Sequence, residues 1–181
     1  MHCAVGVLHK KDLNIDGYME RYLFDNESEY EITEQYSFPM ALGYVNQMIE
    51  NGEAIFLEDY TEPLHRIRAF AEEYGYRVDE SGGMYKLENP NGECDYFTIG
   101  GRYSNALVDV QGNKTYTCKV KDININNPDT IPGVASFVDE VNGNDFFDYD
   151  LTDMDKIVDY GLQTGEDIGE ELFLTLVDIH T

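Results

Sequence analysis

The 181-residue chain carries 36 acidic and 12 basic residues, a net charge of −24 and an isoelectric point near 4.2. That field repels nucleic acid and anionic membrane and attracts basic surfaces, which argues against direct nucleic-acid binding. With 42% hydrophobic residues, including 14 Tyr and 9 Phe, the chain is equipped for a packed core rather than for disorder.

The elements are expected in the following order. "MHCAVGVLHK" reads as a first strand, with Cys3, Val5 and Val7 on one face and His2, Ala4, Gly6 and Leu8 on the other. Asp12–Gly17 is a turn, and Gly17–Phe24 a short helix with Met19, Tyr22 and Leu23 on one side. An acidic loop then runs to about Ser37. Pro39 suits the first turn of a helix that ends at Asn51, stopped by Gly52, with Leu42, Val45, Met48 and Ile49 at helical spacing. "AIFLEDY" reads as a short strand. Thr61 caps a second helix, striped by Leu64, Ile67, Phe70, Ala71 and Tyr74 and closed by Gly75.

From Tyr76 the period becomes two. A hairpin is expected to turn at Ser81-Gly82-Gly83 and another at Gly100-Gly101, and "NKTYTCKVKDI" continues the sheet. "NNPDTIPG" is loop, "VASFVDEV" a strand, and Asn142-Gly143 a turn. Thr152 caps a helix from Asp153 to about Leu162, and "EELFLTLVDIHT" is a final strand. The sum is a single α+β domain over residues 1–181, a mainly antiparallel sheet with two or three helices packed on it. No apolar run approaches the roughly 18 residues of a membrane span, and the start does not read as a signal peptide. Cys3, Cys94 and Cys118, odd in number and without metal-ligand spacing, read as free thiols of a reducing cytoplasm.

Charge is segregated. Asp25, Glu27, Glu29, Glu31 and Glu34 form an acidic patch with no base between them. Asp139–Asp178 holds thirteen acids and a single base, Lys156. Arg102–Lys121 is the reverse, with Arg102, Lys114, Lys119 and Lys121 against Asp109 alone. Solubility explains a uniform acidic coat; segregation favours a basic partner.

Gly100-Gly101-Arg102 has two readings. Two glycines supply positive φ for a plain hairpin turn. With Lys119 and Lys121 nearby on the sheet, the same turn would hold a nucleotide or phosphate. The histidines also have two. If the terminal strands pair, His2, Asp178 and His180 converge as metal ligands or as an acid–base cluster; otherwise they are solvated strand-end residues. His9 and His65 read as surface residues. "DLNIDG", Asp12–Gly17, matches the front of a calcium loop, but Leu23 stands where glutamate is needed, and a turn fits better. No nucleophile elbow, phosphate loop or zinc-protease motif occurs, Cys94 and Cys118 fit as small buried hydrophobes, and no cofactor is called for.

"CDYFTIGGRYSNAL" resembles the "WDWYxIGGRWxGxL" signature of small uncharacterised proteins encoded by bacteriophages and prophages. The start "MHCAV" and the end "LTLVDIHT" resemble that group's "MHYAV" and "LTVVDCHI". Cys94, Tyr96 and Tyr103 replace tryptophans of the pattern. The resemblance implies a phage context in a host cytoplasm and no particular activity.

The expectation drawn from charge and resemblance together is a non-enzymatic binding protein. Its carboxylates would occupy the basic channel of a host-defence nuclease or other nucleic-acid-binding protein, in the manner of an anti-CRISPR. Asp139, Glu140, Asp145, Asp148, Asp150, Asp153, Asp155 and Asp159 are the first contact surface, then Asp25, Glu27 and Glu29, with interleaved tyrosines as anchors.

Overall fold

The computed structural model describes residues 1–144 and 152–181. In chain order its elements are β1 (His2–His9), α1 (Ile15–Met19), β2 (Glu31–Tyr36), α2 (Phe38–Glu50), α3 (Pro63–Tyr74), β3 (Arg77–Val78), β4 (Met84–Glu88), β5 (Tyr96–Ile99), β6 (Leu107–Val108), β7 (Lys114–Thr115), β8 (Thr117–Lys119), β9 (Ser136–Asp139), α4 (Met154–Ile168) and β10 (Phe173–His180). The fold is α+β with predominantly antiparallel sheets, and the chain forms two compact units, 1–23 with 93–181 and 24–92.

The first unit is built around β10. It pairs antiparallel with β1 along eight residues, from His2 opposite His180 to His9 opposite Phe173. Its other edge is shared by β5, opposite residues 177–180, and β8, opposite residues 173–175. The strand β9 lies parallel to β1 on its free side. Strand alternation sorts the side chains as the sequence indicates. Ala4, Leu8, Leu174 and Leu176 share a core with Met154, Ile157 and Val158 of α4. Val5, Val7, Val177 and Ile179 share another with Met19, Tyr22 and Cys94. Each fully buried Leu or Val contributes about 1.5–3 kcal/mol of transfer free energy, so this doubly covered sheet is the framework on which any site near it rests.

The helix α4 is longer than expected, reaching Ile168, and its N-cap residue is Asp153 rather than Thr152. At Gly161 a Cβ would stand 3.0 Å from Val120 and 3.1 Å from Leu8, so glycine there permits close helix–sheet approach instead of ending the helix. Gly169, at φ 70°, is the stop.

The second unit packs α2 and α3 with the antiparallel sheet β2-β4-β3 around Val45, Leu57, Ile67, Phe70 and Met84. Three expectations are corrected here. The supposed acidic loop before Ser37 contains β2, an edge strand whose Glu31 and Thr33 face solvent while it pairs with β4. "AIFLEDY" is not a strand: Ile55–Leu57 is a 3-10 turn that buries Ala54 and Leu57, three residues apart, and leaves Ile55 and Phe56 exposed. Thr61 is not a cap, since Glu62 precedes the Pro63 that opens α3. The turn at Ser81-Gly82-Gly83 and the Gly75 stop are as expected, with Asp79 accepting N–H bonds from Ser81 at 2.8 Å and Gly83 at 3.0 Å.

Candidate functional site

The double glycine is not the turn of a hairpin. The run before it, β5, pairs with β10, and the run after it leads through a 3-10 turn, Gly101–Tyr103, to β6, which pairs with β7. Both glycines do take positive φ, 71° and 44°. What they accommodate is close approach. A Cβ on Gly100 would stand 2.8 Å from the Tyr116 ring, and one on Gly101 would stand 2.6 Å from Cβ and 2.7 Å from Oδ2 of Asp178. The loop thus closes on Asp178, whose Oδ2 accepts the Arg102 backbone N–H at 3.1 Å.

Asp178 is 5% exposed and is one end of a larger cluster. Its Oδ1 lies 3.0 Å from Nδ1 of His2. His180 is opposite His2 in the ladder, and Tyr96 is opposite His180, so the three stand in a row on one sheet face. The two imidazole rings are 5.1 Å apart, centre to centre. The Tyr96 ring stacks on His180 at 4.9 Å and 6°, and its hydroxyl lies 3.5 Å from Nε2 of His2. Asp95, the residue before β5, places Oδ2 3.1 Å from Nδ1 of His180. Each imidazole therefore has a carboxylate on Nδ1. The carboxylate accepts that nitrogen's proton, which fixes Nε2 as the basic nitrogen in the neutral ring. His2, Asp178 and His180 converge as the terminal pairing requires. Among the described residues, however, no three His, Cys, Asp or Glu form a group able to hold a metal ion. The geometry fits acid–base chemistry.

Lys119 and Lys121 are not beside the glycines. Lys119 is opposite Phe173, whereas the Gly100 N–H bonds the Leu176 carbonyl, three residues along β10, or about 10 Å. Both lysines bind the carboxylate of Glu171, Lys119 at 2.8 Å. Lys119 lines a groove of about 600 Å³ with Lys10, Lys11, Glu140, Glu170 and Phe173, in which lysines and acids are mixed. The residues Gly100, Gly101, Arg102, Lys119 and Lys121 therefore do not form one phosphate site.

The acidic surfaces divide similarly. Asp139 is 2% exposed and structural: it accepts the Tyr160 hydroxyl at 2.5 Å, the Asn142 side-chain amide at 2.7 Å and the Val141 N–H at 3.0 Å. It is withdrawn from any contact surface. Glu140 is half-buried, and Asp145, Asp148 and Asp150 lie outside the described residues. Asp153 is held at 2.6 Å by Lys156. Asp155 and Asp159 are exposed one turn apart on α4, and Glu166 and Asp167 follow on its outer surface. In the second unit Asp25, Glu27, Glu29 and Glu31 are exposed, with no ion pair among the described residues. Glu34 is half-buried and accepts the hydroxyls of Tyr36 and Tyr76 at 3.1 and 2.5 Å.

His9 is a correction as well. It is buried, with Nε2 2.8 Å from the Thr175 hydroxyl and Nδ1 2.7 Å from the Lys10 carbonyl, and burial lowers its pKa. Asn14 of the calcium-like stretch caps α1, its carbonyl oxygen accepting the Gly17 N–H at 3.4 Å. Asp95 and Tyr96 were not among the expected site residues. Their signal is their position shortly before Gly100-Gly101, at the start of a strand that the register sets beside β10.

The stretches that carry the phage-protein resemblance, Met1–Val5, Cys94–Leu107 and Leu174–Thr181, meet at this cluster through the pairing of β1, β10 and β5. Compared with family models, curated proteins and solved structures, the chain matches none. Among the described residues no helix is long and apolar enough to cross a membrane.

Proposed function

We propose that the protein is a phage- or prophage-encoded binding protein whose surface carboxylates stand in for phosphates on a basic host-defence protein, a nuclease or CRISPR-type effector. The observation that carries the reading is that two groups of exposed acids, one in each unit, keep no ion pair among the described residues. Asp25, Glu27, Glu29 and Glu31 have no ion pair among the described residues, and Asp155, Asp159 and Glu166 stand on the outer surface of α4. A partner's lysines and arginines would supply the missing charge. Such attraction speeds encounter, fixes register and weakens with salt.

Two charge-reversal variants test it separately: Asp155→Lys with Asp159→Lys, and Asp25→Lys with Glu27→Lys and Glu29→Lys. Immobilised wild-type protein should retain a basic nucleic-acid-binding protein from host lysate, release it at moderate salt, and block its nucleic-acid binding in a competition assay. At least one variant should lose about tenfold or more in that competition while keeping its thermal transition. Undiminished competition by both would refute the reading.

A further inference from the structure

We propose that the cluster at the paired first and last strands is a metal-free acid–base site for a short ribonucleotide phosphodiester. The inference is independent of the acidic faces. It rests on two imidazoles, His2 and His180, with ring centres 5.1 Å apart and both Nδ1 atoms held by carboxylates, Asp178 at 3.0 Å and Asp95 at 3.1 Å. A single anchored histidine is a general base. Two side by side form a base and an acid for one displacement, with the Tyr96 hydroxyl, 3.5 Å from Nε2 of His2, standing where a substrate hydroxyl would take its place.

The reaction that uses such a pair without metal or protein nucleophile is transesterification by a neighbouring hydroxyl. One imidazole takes the proton of the ribose 2′-hydroxyl at Nε2. The 2′-oxygen forms a bond to phosphorus as the bond from phosphorus to the 5′-oxygen breaks. The other imidazole, entering as the imidazolium, gives its Nε2 proton to the departing 5′-oxygen. The products are a 2′,3′-cyclic phosphate and a free 5′-hydroxyl, with protons and electrons balanced. Asp178, buried beneath the Gly100-Gly101 loop and held by the Arg102 N–H at 3.1 Å, gives His2 the more rigid mount. Arg102 is exposed and has no carboxylate partner among the described residues, so its guanidinium is free for an anionic substrate.

Net charge selects the size of the substrate. A chain at −24 repels each further phosphate, so a dinucleotide or small cyclic oligonucleotide is favoured over long RNA.

The test uses the full chain in EDTA with uridylyl-3′,5′-adenosine and, separately, a single-stranded RNA of about 20 residues. Chromatography should show the dinucleotide converted to a cyclic phosphate and adenosine, with a bell-shaped pH–rate profile. The 2′-deoxy analogue should be inert. Long RNA should be cleaved more slowly per linkage at about 20 mM salt than at about 200 mM, the reverse of a cationic nuclease. His180→Ala and His2→Ala should each lose about 100-fold or more. If His2→Ala perturbs folding, His180→Ala, on a more exposed residue, carries the comparison. Dinucleotide turnover by the wild type no faster than by His180→Ala overturns the proposal, as does cleavage of the 2′-deoxy analogue.

Discussion

Gly101→Ala is the sharpest probe of how the Gly-Gly-Arg loop is built. At φ 44° an L-residue pays about 1–2 kcal/mol for left-handed backbone. The added methyl would stand 2.6 Å from Asp178 Cβ and 2.7 Å from its Oδ2, closer than carbon atoms tolerate, so the loop must lift. Lifting lengthens the 3.1 Å bond from the Arg102 N–H to the buried carboxylate, a charged hydrogen bond worth about 1.5–3 kcal/mol. The sum is about 2.5–5 kcal/mol. For a chain of this length that corresponds to a drop of about 5–20 °C in Tm. Gly112→Ala is the control. Gly112 also has positive φ, 87°, but nothing lies within 4 Å of a Cβ there, so it should cost only the backbone share of about 1–2 kcal/mol. Urea unfolding of both variants measures the difference. A Gly101→Ala cost within about 0.5 kcal/mol of the Gly112→Ala cost would refute the closure argument.

Gly43→Ala should raise stability by about 0.5–1 kcal/mol in the same assay, because Gly43 is an exposed interior residue of α2 with open space around it. Asp139→Asn should lose roughly 2–4 kcal/mol by turning donors of Asn142, Val141 and Tyr160 against an amide, and a loss under about 1 kcal/mol would mean that the network is ornamental. His9 is lowered below 6.5 by burial, so its neutral form stabilises the fold fully above that value; stability should fall as pH drops from about 6.5 toward the lowered value, and His9→Gln should flatten that part of the profile in unfolding experiments at stepped pH. Burial pushes the Cys118 thiol up to about 11, and Cys94 is fully buried, so a disulfide-exchange reagent at pH 8 should modify at most Cys3 in the native protein and all three thiols in denaturant.

The parts legible in the sequence are those fixed by local periodicity. The alternation in β1, the stripe of α3 and the Gly75 stop each follow from residues within one element. The terminal pairing was legible only as one of two readings, and the register between β1 and β10 decides for it. Partners separated in sequence were not. Nothing near Gly100 indicates that β5 would turn to β10 instead of folding back on Arg102–Val108, because both runs have the same alternating pattern. The register of β10 alone decides that Lys119 sits far from the glycines and Asp95 near His180. Asp139 and His9 misled for a related reason: a polar residue at the end of a strand looks solvated until its long-range partners, Tyr160 and Thr175, are known. The acid-rich β2 was hidden because its exposed edge face carries charges that a local reading assigns to loop.

The place of β10 sets an order of events at the ribosome. Residues 24–92 are contiguous and hold their own core, so that unit has all its parts once they emerge. The first unit does not. Its strand β1 is made long before β10, the strand that lies between β1 and β5. Until residues 173–180 have emerged the apolar β1 waits without its longest partner, and the site on Asp178 and His180 comes into being only then. A truncation that removes β10 should leave a nascent chain that recruits chaperones through β1, with residues 24–92 already structured.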